Sequence, residues 1–177
     1  MNIILTITLL LLTSSLFFPK TVSGANFAGS SAAFRIEAEI QDDRDEKIEK
    51  FLKFYNSPLA KYSNLIVSTA DKYEIDWRLL VSISGVESTF GKRIPEGSFN
   101  AYGWNNGNYR FQSWEDSIEH VSRVLGEKYV QKGLDTPAKM ARVYCPYSNT
   151  WAGKVTYFMK KLENFYPNDP SNIELSL

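Results

Sequence analysis

The sequence predicts a mainly α-helical single domain of five to six helices, broken once by a short central loop or hairpin. Three observations lead there. Apolar residues recur at spacings of three and four along most of residues 44–163. Pro, Gly and short polar residues punctuate that pattern where helices start and stop. The pattern disappears over one long interval, between Lys92 and Gln112, where Gly, Asn, Pro and aromatic residues take over. At 177 residues the chain can bury one core, with little room for a second.

The chain opens with an uncharged apolar run from Met1 to Phe18, followed by small residues at Val22-Ser23-Gly24-Ala25. Residues 1–24 therefore read as an export signal cut after Gly24 or Ala25, too short in its apolar part for a membrane span. Because the first cation, Lys20, follows the run instead of preceding it, an uncleaved anchor is the alternative, and membrane contact is expected only through this segment. Residues 25–43 read as a linker, small and polar and then charged. The folded domain is expected over 44–168 and a polar, loose tail over 169–177, with localisation outside the cytoplasm or in the envelope.

Within the domain, Ile48, Phe51, Leu52 and Tyr55 share one face of a first helix whose other side carries Glu and Lys. Ser57 is placed to cap a second helix with Pro58 at its first position, and Leu59, Tyr62, Leu65, Ile66, Thr69 and Tyr73 form its inner stripe. Asp76 caps the third, which runs from Trp77 through Leu79, Leu80, Ile83 and Val86 to Phe90 and stops at Gly91. The central loop follows, with Asn106-Gly107 as a hairpin turn signal. Ser113-Trp-Glu-Asp116 has the form of a capping box, opening a helix through Trp114, Ile118, Val121, Leu125 and Tyr129 that closes at Gly133. Thr136-Pro137 starts a short helix through Met140, Ala141 and Tyr144. The last helix carries Trp151, Val155, Phe158, Met159 and Leu162.

Composition narrows the function classes. Lys plus Arg equals Asp plus Glu at 20 each, so no net positive field exists to hold a polyphosphate, and nucleic acid is not an expected partner. A neutral polymer is easier to accommodate. Aromatic residues make up 14% of the chain, and the Tyr and Trp among them crowd its second half, where flat apolar faces suit sugar rings as well as core packing. Cys145 is the single cysteine and His120 the single histidine. The fold must stand without an internal disulfide, no zinc-ligand spacing exists, and neither a metal nor another cofactor is expected. A Cys-His nucleophile pair is disfavoured because no helix N-terminus or cation accompanies Cys145 in its loop.

One acid breaks the helical pattern. Glu87 follows Ile83 by four residues and Leu80 by seven, and precedes Phe90 by three, so its carboxylate falls on the stripe that faces inward. Desolvation raises the pKa of a buried carboxyl, the condition for donating a proton near neutral pH. The bland alternative is an acid at the stripe's edge, paired with Arg93 or Arg110. The small residues Ser82, Ser84, Gly85 and Ser88 predict a groove beside it, and the loop after it supplies Asn100, Tyr102, Trp104 and Asn105, amides and aromatics that suit a sugar.

The segments Glu87-Ser-Thr-Phe-Gly91, Asn100-Ala-Tyr-Gly-Trp104 and Phe111-Gln-Ser-Trp-Glu-Asp-Ser-Ile118, in that order, resemble the glucosaminidase family of bacterial autolysins and flagellar muramidases, relatives of the lytic transglycosylases with a lysozyme-like fold. The resemblance spans roughly residues 71–163. It implies Glu87 as catalytic acid, Tyr144 facing it, and Asn100, Tyr102 and Gly103 lining the cleft. Ser88, Trp104 and Tyr147 complete the expected substrate-binding set. The implied activity is hydrolysis of β-1,4 bonds in peptidoglycan or a related N-acetylglucosamine-containing glycan, by a monomer.

The segment between Gly103 and Phe111 is short for that family, so a full β-rich lobe bearing a second carboxylate is not expected. A general base roughly 6.5–9.5 Å away serves inversion and a nucleophile at about 5 Å serves retention. Glu96 is the candidate second carboxylate. Otherwise the substrate's own acetamide or its C6 hydroxyl attacks the anomeric carbon, the latter as in a lytic transglycosylase. Glu115 and Asp116 are better suited to the positive end of their helix than to catalysis. A non-catalytic glycan-binding module on a degenerate version of the fold is the competing class.

Overall fold

The computed structural model describes residues 42–166. The export signal or anchor at 1–24, nearly all of the linker and the tail at 169–177 lie outside the described residues. Six α-helices and no strand are found among those described: α1 Arg44–Phe54, α2 Ser63–Lys72, α3 Leu79–Ser88, α4 Trp114–Val124, α5 Pro137–Tyr144 and α6 Trp151–Glu163. The mainly helical class is as the periodicity predicts. None of these helices is long and apolar enough to cross a membrane.

The central element is α3. Leu79 through Ser84 are all buried, so the helix is apolar all round and is packed on several sides, most extensively by α6 and also by α2 and α4. Its buried serines satisfy themselves within the helix: Ser82 Oγ donates to the Arg78 carbonyl at 2.8 Å and Ser84 Oγ to that of Val81 at 2.7 Å. Asp76 is not the cap expected of it: its Oδ1 accepts from the Arg78 backbone N–H at 2.9 Å, but Arg78 itself stands at the N-cap and no side chain caps the helix. At the other end Thr89, Phe90 and Gly91 all have positive φ, which turns the chain sharply out of the helix two residues before the expected stop.

Around α3, α1 packs on α2, α2 on α4, and α5 on α6. Phe51, Tyr55, Phe90 and Phe158 form an edge-on aromatic cluster that ties α1, the end of α3 and α6 together. Two caps predicted from sequence are in place. Ser113 Oγ accepts from Asp116 N at 3.1 Å, and Thr136 Oγ1 from Lys139 N at 3.4 Å with Pro137 in the first turn.

Three helices depart from the expectation, α3 by starting at Leu79 where the sequence predicts Trp77 and ending at Ser88 where it predicts Phe90. The second opens as a 3₁₀ turn over Ala60–Tyr62 before α2, and Ser57, besides accepting from Leu59 N at 3.1 Å, donates to the Phe90 carbonyl at 2.7 Å. The helix expected to run unbroken to Gly133 is regular only to Val124. A π turn follows over Leu125–Tyr129 and a 3₁₀ turn over Val130–Lys132. The Asn106-Gly107 signal produces a turn without strands. Asn105, Asn106 and Gly107 all take positive φ, a conformation that asparagine and glycine tolerate best.

Candidate active site

Glu87 sits on the last turn of α3, half-buried, and makes no ion pair among the described residues. Arg110, one of the cations that could have neutralised it, instead donates to the Glu96 carbonyl at 2.8 and 3.2 Å. The partner of Glu87 is the Trp151 indole at the start of α6, whose Nε1–H donates to Oε1 at 2.6 Å. Two effects of opposite sign act on this carboxyl. Burial raises its pKa above the usual glutamate range, the indole hydrogen bond lowers it, and burial is the larger.

The second carboxyl oxygen meets backbone. Gly103 has φ +66°, and a β-carbon at that residue would lie 2.5 Å from Glu87 Oε2 and 3.1 Å from Cδ. Only glycine leaves room here, and the Glu87 carboxyl packs against residue 103 because that residue has no side chain. Since an N–H donor needs a lone pair, Oε1 is held as the acceptor for Trp151. The carbonyl oxygen of a neutral carboxyl is the better acceptor, so the bond to Oε1 favours the proton on Oε2, beside Gly103.

Gly103 also lines a cleft of about 240 Å³ together with Trp104, Asn105, Asn106, Tyr129 and Tyr144. No lining side chain is charged. Tyr144, on the last turn of α5, lies with its ring stacked on Trp151 at 4.9 Å and donates its hydroxyl to the Tyr102 carbonyl at 2.6 Å. Burial and the nearby Glu87 carboxylate hold this phenol well above the ordinary tyrosine range, so it stays a neutral donor. Trp104 meets Tyr144 edge-on at 6.0 Å and is backed by His120 at 5.8 Å.

The loop that carries this wall is held from within by Asn100. Its Nδ2 donates to the carbonyls of Trp104 at 2.9 Å and Tyr109 at 3.0 Å, while Oδ1 accepts from Trp104 N at 2.9 Å. The side chain is buried with its hydrogen-bonding directions taken up, so Asn100 shapes the loop and is not available to a ligand. Ser88 is similar: its hydroxyl donates to the carbonyls of Ser84 and Ala101 and accepts from Gly91 N. Tyr102 contributes through its backbone. Its ring is fully buried and its hydroxyl, which burial pushes well above the usual range, has no partner among the described residues.

Three sequence expectations are thereby corrected: Asn100, Ser88 and Tyr102 are positioned as supports of the site, because their side chains are buried and, for the first two, already bonded. The groove expected from the small residues of α3 is corrected as well. Ser82, Ser84 and Ser88 are buried, and a β-carbon at Gly85 would lie 2.6 Å from the Phe90 ring, so the slim helix admits neighbouring elements and does not itself form the cleft. Gly103, Trp104 and Tyr144 are in the cleft lining. Tyr147 is fully exposed in the loop between α5 and α6, outside the cleft lining, and Glu96 is exposed and also outside it.

Trp151 and Tyr129 were read from sequence as core positions only, yet one binds the carboxylate and the other lines the cleft. Asn106 was read only as part of a turn. No group of His, Cys, Asp and Glu side chains suited to a metal ion occurs among the described residues. No protein-family model matches the chain, and no curated protein matches it at a significant level.

Proposed function

We propose that this protein is a glycosidase that cleaves β-1,4 bonds in peptidoglycan or a related N-acetylglucosamine-containing glycan, with Glu87 as general acid. The observation that carries the reading is the half-buried Glu87 carboxyl. It lacks a cationic partner, its pKa is raised by burial, and its second oxygen lies against Gly103, which lines an uncharged cleft together with Trp104, Tyr129 and Tyr144. An acid whose protonated form is favoured by burial, next to flat aromatic faces and amides, suits a departing glycosidic oxygen and a neutral sugar.

Glu87 protonates the leaving oxygen from Oε2 as the bond to the anomeric carbon breaks. Trp151 holds Oε1 and stabilises the carboxylate left behind. No acidic side chain is in the cleft lining among the described residues, and Glu87 reaches it only through its contact with Gly103, which favours the routes in which the substrate supplies its own nucleophile. In one, the C6 hydroxyl attacks and returns its proton to the Glu87 carboxylate, giving a 1,6-anhydro sugar without water. In the other, the acetamide oxygen attacks to give an oxazolinium ion that keeps its N–H, and Glu87 as carboxylate deprotonates the water that opens it. Tyr144 stands beside the reacting centre as a neutral phenol.

Purified wild-type protein and Glu87→Gln are incubated with insoluble cell wall, and soluble fragments are resolved by mass spectrometry. The proposal expects anhydro or reducing ends from the wild type and none from the variant. Binding to the wall without fragments from either protein would favour a non-catalytic glycan-binding module, and retained cleavage by Glu87→Gln would remove Glu87 from the chemistry.

A further inference from the structure

The π turn at Leu125–Tyr129 lies where α4 meets the end of α2. Gly126 is pressed against the backbone of Tyr73: a β-carbon there would stand 2.5 Å from the Tyr73 carbonyl oxygen and 2.9 Å from Tyr73 Cβ. The helix cannot approach closer, and it widens by one residue at this contact. In a regular α-helix Tyr129 would follow Leu125 on the inward stripe, where Leu125 is fully buried. A π turn takes more residues per turn, so Tyr129 is carried across to the other flank of that stripe.

On that flank it meets the cleft. The Tyr129 ring lines it, 6.2 Å from the ring of Tyr144 and tilted by 54° to it. Most of the ring is covered, with 8% of the residue exposed. Its hydroxyl makes no hydrogen bond among the described residues, in contrast to Tyr144, which spends its own on the Tyr102 carbonyl. The Asn105 and Asn106 side chains, in the same lining, are likewise without hydrogen-bond partners there. A phenol whose ring is fixed by packing while its polar end stays unspent at a cleft is arranged for a ligand.

We propose that Tyr129 is a substrate-binding residue, its ring forming a wall for one sugar and its hydroxyl hydrogen-bonding a sugar hydroxyl or acetamide, and that the π turn exists to deliver it there. This rests on the glycan-binding part of the proposed function but not on cleavage.

The test measures binding of tetra-N-acetylchitotetraose through tryptophan fluorescence, since Trp104 lines the cleft and Trp151 holds the acid. Glu87→Gln is the parent, so turnover does not intervene. Tyr129→Phe in that parent is expected to bind about fivefold more weakly, the loss of one neutral hydrogen bond, and Tyr129→Ala roughly thirtyfold more weakly. Tyr157→Phe, at an exposed tyrosine of α6 outside the cleft lining, should bind as the parent does. Circular dichroism and Tm verify folding; if the Ala variant fails to fold, the Phe variant, which differs by one oxygen, decides. Binding by the parent with no change in Tyr129→Phe overturns the role of the Tyr129 hydroxyl while leaving the glycan reading intact. A parent that binds no oligosaccharide overturns the glycan reading and this inference with it.

Discussion

Gly103→Ala tests the geometry of the acid most directly. The new methyl group faces two separate costs. At φ +66° an alanine sits in the left-handed region, which disfavours it by about 1–2 kcal/mol, offset by roughly 0.4–1 kcal/mol from the stiffer unfolded chain. The second cost is steric: at 2.5 Å from Oε2 and 3.1 Å from Cδ, either the Glu87 carboxyl or the loop must move, an overpacking of about 1–3 kcal/mol. Gly97→Ala separates the two, because Gly97 has φ +64° with nothing within 4 Å of its β-carbon position and carries only the backbone cost. Urea unfolding should place Gly103→Ala about 1–3 kcal/mol below Gly97→Ala. In a Glu87→Ala background the clash has no second partner, so that excess should vanish as a coupling of the same size in the double-mutant cycle. Activity on cell wall should fall by about 100-fold, as expected when a catalytic group is displaced by about 1 Å. If Gly103→Ala costs no more than Gly97→Ala and the cycle is additive, the carboxyl is not held against Gly103, and the placement of Oε2 beside that residue fails.

The remaining predictions follow from the same contacts. Burial raises the pKa of Glu87 in the folded protein above 4.5, its ordinary value. Its contribution to stability is therefore present below that pH and lost as pH rises through the raised value, so Glu87→Gln should be more stable than wild type in neutral buffer, with the difference in Tm closing towards pH 4. Activity, which needs the protonated acid, should fall on the alkaline side; Trp151→Phe removes the one hydrogen bond that lowers the pKa, and its alkaline limb should move to higher pH in a pH–rate profile. Asn100→Ala deletes three hydrogen bonds that shape the cleft loop, at ~1 kcal/mol each, and denaturant titration should register about 3 kcal/mol of lost stability. Gly126→Ala should lower stability by about 1–3 kcal/mol in the same assay, because its methyl group meets the Tyr73 backbone, which has no flexible end to yield.

What could be read in advance was whatever depends on neighbours along the chain. Ser113 and Thr136 cap their helices through atoms three residues away, and both caps are visible as motifs. The inward placement of Glu87 is likewise a matter of period within one helix. The role of Trp151 is not. Its ring is 2% exposed, so its apolar body belongs to the core as the stripe predicts, and only the packing of α6 on α3 shows that its single polar atom ends at a carboxylate 64 residues away in sequence. Tyr129 was misplaced for another reason: one residue of π turn changes flank, and no local signal marks it apart from Gly126, whose need for close approach depends on Tyr73. Asn100 illustrates the ambiguity of a polar residue in a loop. The amide that would suit an acetamido sugar suits three backbone groups equally well, and burial assigns it to them.

The pairing of Trp151 with Gly103 has a consequence that neither residue has alone. Burial without a donor would leave a carboxyl that is hard to ionise and therefore slow to release its proton; several donors or a cation would hold it ionised and idle at neutral pH. One indole N–H on Oε1 lies between these limits, leaving burial dominant while stabilising the anion at the moment it forms. The same bond leaves Oε2, which lies against Gly103 and has no protein donor, as the oxygen favoured to carry the proton. Readiness and direction of transfer are thus both set at the start of α6, while the loop after α3 fixes where the carboxyl lies. Trp151→Phe should therefore move the pH of activity and release the preference between the two oxygens, whereas Gly103→Ala should displace the acid itself.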